Sequence, residues 1–97
     1  MKTIETIKET LNNSHEKHMQ KLTERKEEMT TANGHKDFIK LTITQAINEL
    51  NGIMQLAHVF INERYKRKHV SVYKKVYDHY ISMYDFWIKE RKELTKP

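Results

Sequence analysis

Apolar residues recur along most of this chain at steps of three and four, the spacing that places side chains on one face of an α-helix. Residues 2–31 contain neither glycine nor proline, and we predict a first helix over about this range. The segment 32–35, Ala-Asn-Gly-His, is predicted to end it, since Asn-Gly readily adopts the left-handed backbone of a helix end. A narrow, mostly apolar stripe lies along one face of this helix: Ile4, Ile7, Leu11, His15, His18, Leu22 and Met29.

A second helix is predicted over about 37–66, with Asp37 as its N-cap. Its main apolar face keeps its phase through Asn51-Gly52, so we predict one helix with a weak point there rather than two helices. This face contains Ile39, Ile43, Ala46, Ile47, Leu50, Ile53, Met54, Ala57, Phe60 and Ile61. A smaller apolar group lies on roughly the opposite side: Phe38, Leu41, Leu56 and Val59. A helix that is apolar on two sides contacts two partners, so we place this one at the centre.

A third helix is predicted over about 70–95, with Ser71 as its N-cap. No glycine or proline separates it from the second helix, but the direction of the apolar stripe rotates by about a third of a turn after Tyr65. The alternative is a single very long helix over 37–95, which would nearly force an oligomer. The face of the third helix contains Val70, Tyr73, Val76, Tyr77, Tyr80, Ile81, Tyr84, Trp87, Ile88 and Leu94.

These patterns predict an all-α fold with residues 1–97 as a single helical domain. The arrangement is either a slender antiparallel three-helix bundle or a helical hairpin with the first helix folded or swapped against a second copy. So thin a core leaves apolar surface exposed, and we therefore expect the protein to form a homodimer.

Composition excludes several classes of function. Two glycines and one proline argue against β architecture and phosphate-binding loops, and the absence of cysteine removes disulfides and thiolate chemistry. No apolar run approaches the ~18 residues of a membrane span, and the first residues lack the apolar run of a signal peptide, so we expect a cytoplasmic protein. There is no glycine-flanked serine, and Asp78 and Asp85 fall on a polar side of their helix. We therefore expect no enzymatic activity and no cofactor.

Positive charge is concentrated in the basic C-terminal third, residues 62–97, which carry ten Lys/Arg and five Asp/Glu; residues 1–61 carry eight of each. One interpretation of the segment 64–75 is that it binds nucleic acid through contacts to phosphates. No helix-turn-helix pattern is in register to support this interpretation. A solvated turn is the commoner outcome, and attachment to a membrane surface is a third option. The nucleic-acid candidates are Lys66, Arg67, Lys68, Lys74 and Lys75.

Aromatic residues are concentrated in the third helix, as Tyr73, Tyr77, Tyr80, Tyr84 and Trp87. Rings at helical spacing usually lie in a core, yet four tyrosine hydroxyls in a thin core would each need a hydrogen-bond partner. Amphipathic rings on a helix face are also typical of protein–protein interfaces, and the two interpretations carry similar weight.

Two histidines one helical turn apart, His15 and His18, could share a metal ion. The sequence contains no Glu-x-x-His or His-Glu-x-x-His motif to support a metal site. Polar residues at the edge of a thin stripe, or a pH-sensitive contact, are the more ordinary interpretations, and we predict no metal.

Taken together, the pattern favours a non-enzymatic protein-binding regulatory module, an adaptor or inhibitor of the kind that phages and mobile elements encode, which acts by covering the surface of a larger protein. An acidic partner would be steered by the basic residues and held by the aromatic ones. The predicted contact residues are Arg64, Arg67, Lys68, Tyr73, Tyr77, Tyr84 and Trp87. The alternative is a small nucleic-acid-binding regulator that uses the segment 64–75.

Overall fold

The computed structural model describes residues 4–28 and 35–95, and within them the chain forms three helices, as predicted. They are α1 (Ile4–Glu28), α2 (His35–Arg64) and α3 (His69–Thr95). Of the predicted stop at residues 32–35, residues 32–34 lie outside the described residues, as does the stripe position Met29, and His35 is the first residue of α2.

α2 is a single helix that continues through Asn51-Gly52, which confirms that prediction. A Cβ atom at Gly52 would meet nothing within 4 Å, so this glycine is not required by packing. α2 begins at His35, and Asp37 therefore lies in its first turn. The prediction of Asp37 as the N-cap is wrong, although a carboxylate in the first turn still favours the helix dipole.

Residues 65–68 form the turn between α2 and α3, so the predicted break is confirmed and the single long helix is wrong. The backbone N–H of Tyr65 donates to the carbonyl of Ile61 at 2.9 Å, and that of Lys68 donates to the carbonyl of Tyr65 at 2.8 Å. Ser71 lies inside α3 and donates its hydroxyl to the carbonyl of Lys68 at 3.1 Å, so it is not the N-cap that the sequence suggested.

The three helices run up, down and up. The Lys17 ammonium of α1 lies 3.0 Å from the Glu49 carboxylate of α2, and the His58 ring of α2 lies 5.1 Å from that of Tyr73 of α3. α2 packs against both other helices more extensively than they pack against each other, which confirms its central position. The bundle is slender, with extents of 54 × 25 × 15 Å.

The core follows the predicted stripes of α1 and α2 closely, and all its members are under a tenth exposed. They are Ile7, Leu11, Leu22, Ile39, Ile43, Ala46, Ile47, Leu50, Met54, Ala57, Ile61, Val72, Val76, Met83 and Trp87. The face of α3 is displaced from the prediction, because Val72 and Met83 are buried whereas Val70 is 72% exposed. The predicted face included the tyrosines, and these lie beside the face of α3 that is buried.

The central position of α2 does not arise because it is apolar on two sides, so that part of the prediction is wrong. Both neighbouring helices pack on its one broad apolar face, while Phe38, Leu41, Leu56 and Val59 on the other side are 49–75% exposed. None of the described helices has the length and apolarity needed to cross a membrane.

Candidate partner-binding surface

Four tyrosines form a continuous row along α3. Tyr73, Tyr77, Tyr80 and Tyr84 follow one another at steps of four, three and four, which keeps them on one side of the helix. Their successive ring centroids lie 6.0, 5.8 and 5.5 Å apart. Tyr77 is 41% exposed, and the other three are partly buried. We call these four residues the tyrosine face.

The tyrosine face borders a groove between α2 and α3 of about 390 Å³. On the α2 side, the Tyr80 hydroxyl donates a hydrogen bond to the Asn51 side-chain oxygen, and the His58 ring meets the Tyr73 ring edge-on. Burial, and then the neighbouring tyrosines, raise the pKa of Tyr80 above its ordinary value of 10.0, so its phenol stays a neutral donor. The groove is therefore lined by groups that offer both ring surface and hydrogen bonds.

The border of this groove on α2 is uncharged over most of its length. Between Lys40 and Glu63 the sequence contains a single charged residue, Glu49. Its carboxylate pairs with Lys17 of α1, on the opposite side of α2 from the tyrosines. In a chain with 32% charged residues, such a gap in charge marks a surface that differs from the rest of the molecule.

A basic turn lies at one end of the tyrosine face. Arg64, Lys66, Arg67 and Lys68 are exposed there. Tyr73 comes five residues after Lys68, a rise of ~7.5 Å along a helix, so the aromatic and basic groups meet at this end of the bundle. Lys74 and Lys75 are exposed in the first turns of α3 and extend the positive charge.

Trp87 does not belong to this surface. It is 0% exposed, and its Nε1–H donates to the Nδ1 atom of His15 at 3.1 Å. Its ring meets those of His15 and Phe86 at centroid distances of 5.6 and 5.0 Å. The prediction of Trp87 as a binding anchor is therefore wrong, because the ring lies at the centre of the face that α3 buries, whereas the tyrosines lie at its edge.

The predicted histidine pair is part of the same core contact. The Nδ1 atom of His18 lies 2.8 Å from the carbonyl oxygen of Ser14, and His18 is 3% exposed. Burial is the main cause that lowers the pKa of His15, so this ring favours the neutral state, whose Nδ1 atom can accept the hydrogen bond from the Trp87 N–H. Within residues 4–28 and 35–95, no three His, Cys, Asp or Glu side chains are grouped so as to hold a metal ion.

Sequence reasoning missed the contribution of α2 to this surface. Asn51, Gln55 and His58 line the groove beside the tyrosines. The signal was present in the sequence, since uncharged polar residues recur on this side of α2 at steps of four and three. They are Asn51, Gln55, His58 and Asn62.

The comparisons with known proteins found no similarity. No protein-family model, no curated protein and no solved structure matches this chain.

Proposed function

We propose that this protein is a non-enzymatic protein-binding module, a regulator that acts by covering the surface of a larger protein. The tyrosine face carries the proposal: four rings in contact with one another, partly exposed and bordered on α2 by uncharged side chains. Tyrosine gives a large amphipathic contact area at low cost in side-chain entropy, and it is enriched among the residues that dominate binding energy.

The basic turn supports a partner with an acidic surface. Charges at the rim of an interface mainly accelerate association, whereas buried rings set the dissociation rate. The neutral tyrosine face would thus hold the partner, while Arg67 and Lys68 at its end attract it. Arg64, Arg67, Lys68, Tyr73, Tyr77 and Tyr84 remain the proposed contact residues, and Tyr80 and His58 join them.

The second candidate function is nucleic-acid binding through Lys66, Arg67, Lys68, Lys74 and Lys75. The observation that favours it is that all five are exposed at one end of the bundle. Binding of this kind depends on the release of counterions from phosphates, so its affinity falls steeply with salt.

The experiment places a photoreactive phenylalanine derivative at position 77 and, as the control, at position 78 on another side of the same helix. Each variant is cross-linked in an extract of the cells that express the protein. We expect a protein adduct at position 77 and none at position 78. An adduct only at position 78, or adducts only with nucleic acid, would contradict the proposal.

The captured partner then allows a quantitative test. Tyr73→Ala with Tyr77→Ala should raise its dissociation constant by roughly 30-fold or more, as expected for two anchors that each contribute about 1 kcal/mol. Arg67→Ala with Lys68→Ala should instead slow association and reduce its dependence on salt. Asp78→Ala is the matched control and should change neither. Equal affinity of the tyrosine variant and the wild type would refute the assignment.

For the nucleic-acid candidate, light-scattering mass is measured at ~0.05 and ~0.5 M salt with a pool of DNA and RNA oligonucleotides. A complex that forms at low salt, dissociates at high salt and is lost when Lys74 and Lys75 are replaced by alanine would favour it over the protein partner.

A further inference from the structure

Three of the four hydroxyl groups of the tyrosine face are not used by the bundle. The Tyr80 hydroxyl donates to Asn51, whereas those of Tyr73, Tyr77 and Tyr84 make no hydrogen bond to any residue in the part of the chain that the structure describes. The planes of successive rings are inclined by 32, 44 and 35°, so the rings overlap rather than meet edge-on. The tyrosine face is therefore a row of aromatic surface that carries free hydrogen-bond donors.

A polyproline II helix is the peptide conformation that such a surface suits best. An α-helix pairs its backbone groups internally, and a bound β-strand needs a sheet edge, which the described helices do not offer. A polyproline II chain instead has free backbone carbonyls, and proline has no N–H, so a proline-rich segment needs donors and apolar ring surface. The tyrosine face offers both, and the exposed Gln55 amide adds a donor from α2 in the same groove.

The spacing of the rings also matches this conformation. Tyr73 and Tyr80 are seven residues apart, as are Tyr77 and Tyr84, which corresponds to a rise of ~10.5 Å along α3. One turn of a polyproline II helix contains three residues and rises ~9.3 Å. Prolines three positions apart, as in Pro-x-x-Pro, therefore meet rings that are two helical turns apart. The whole row is ~16.5 Å long and spans about five residues of such a peptide.

The charges around the groove favour a peptide over a single-stranded nucleic acid. Bases also stack on tyrosine rings, but each nucleotide brings a phosphate that requires positive charge along the binding site. None of the residues that line this groove is Lys, Arg, Asp or Glu, and the basic turn lies at its Tyr73 end. An uncharged segment therefore fits along the groove, with an acidic residue beside Arg67 and Lys68.

We propose that the tyrosine face binds a proline-rich segment of the partner protein in the polyproline II conformation, with an acidic residue at the end that meets the basic turn. This inference rests on the proposed function and names the chemistry of the partner. Because polyproline II is already formed in the free segment, little chain entropy is lost on binding, and a short segment is sufficient.

The test uses the full chain and a fluorescent peptide of eight prolines with two glutamates at each end, and measures binding by anisotropy. We expect a dissociation constant below about 1 mM, and Tyr77→Ala should raise it at least ~10-fold. Tyr77→Phe keeps the ring but loses the donor, so its affinity should lie between those of the wild type and Tyr77→Ala. Phe38→Ala is the matched control, because this ring is 49% exposed but lies beside Arg25, away from the groove, and it should not change the affinity. Circular dichroism checks that each variant keeps its helices.

Three further probes define the chemistry of the site. A peptide in which alanine replaces every proline should bind at least ~10-fold more weakly, because it lacks the ring surface and the preformed conformation. A peptide without glutamates should bind the wild type more weakly at ~0.05 M salt, but this difference should disappear for Arg67→Ala with Lys68→Ala. A labelled thymidine decamer should bind more weakly than the proline peptide.

Three results would overturn this assignment. They are no saturable binding of the proline peptide up to about 1 mM, equal affinity of Tyr77→Ala and the wild type, and an alanine peptide or thymidine decamer that binds as tightly as the proline peptide. The cross-link at position 77 tests the proposed function separately. A protein adduct there without binding of the proline peptide refutes this inference alone, whereas the absence of both refutes the inference and the proposed function together.

Discussion

Replacement of Trp87 tests whether this ring holds the core together. Trp87 is 0% exposed, and its N–H donates to His15. Truncation of a fully buried tryptophan to alanine removes its transfer energy and leaves a cavity, at a cost of about 3–5 kcal/mol. A domain of this size has a total free energy of unfolding of about 5–15 kcal/mol, so Trp87→Ala should remove a large part of it.

Trp87→Phe separates the ring from the N–H group. It keeps most of the apolar surface but loses the hydrogen bond to His15, whose net contribution is about 0.5–1.5 kcal/mol, and it leaves a small void. We expect a cost of roughly 1–2 kcal/mol, well below that of alanine. Tyr77→Ala on the same helix is the matched control; because Tyr77 is 41% exposed, its cost should be smaller than that of Trp87→Ala.

The assay is urea unfolding followed by circular dichroism, at one fixed protein concentration so that self-association does not enter the comparison. The structure requires the free energy of unfolding to be lowest for Trp87→Ala, intermediate for Trp87→Phe and highest for the wild type. If Trp87→Ala costs less than about 1 kcal/mol, Trp87 is not the buried ring described above, and the assignment of the α3 core face fails.

Three further predictions follow from single contacts. Gly52→Ala should raise the free energy of unfolding by about 0.5–1 kcal/mol in the same urea assay, because glycine disfavours a helix interior and a Cβ atom has open space there; a destabilised variant would contradict this. Burial lowers the pKa of His15 below its ordinary value of 6.5, so the unfolded chain binds the proton more readily and the free energy of unfolding should fall as pH drops below about 6.5. Thermal unfolding measured against pH should show a smaller loss of stability for His15→Gln, which cannot be protonated. Identical profiles for the variant and the wild type would refute the role of this ring. Lys17→Ala should cost less than about 1 kcal/mol, since its pair with Glu49 is half exposed, and a double-mutant cycle with Glu49→Ala measures the coupling.

The fold was largely predictable because its signal is local. Ile43, Leu50 and Ile61 recur at steps that only a helix places together, and all three are buried. The ends of the helices were less predictable. Asp37 and Ser71 are residue types that cap helices, but whether one caps a helix depends on where the backbone leaves helical geometry, and each helix begins two residues earlier.

The surface was harder to predict, because periodicity shows which sides of a helix are apolar and not how many neighbours cover them. Phe38 and Leu56 belong to an apolar side of α2 outside the core, and they are 49% and 75% exposed. Trp87 and Tyr77 were grouped on one face, yet at about 100° per residue their directions differ by about 80° around α3. That angle separates a fully buried ring from one that is 41% exposed.

The central position of α2 also bears on how fast the chain folds. Each outer helix packs mainly against its neighbour in sequence, and the connection between α2 and α3 spans only residues 65–68. Most native contacts therefore close short loops, and little chain entropy is lost before apolar contact begins to compensate for it. Low contact order of this kind corresponds to folding times of about microseconds to milliseconds, so the monomer should be complete long before it meets another molecule.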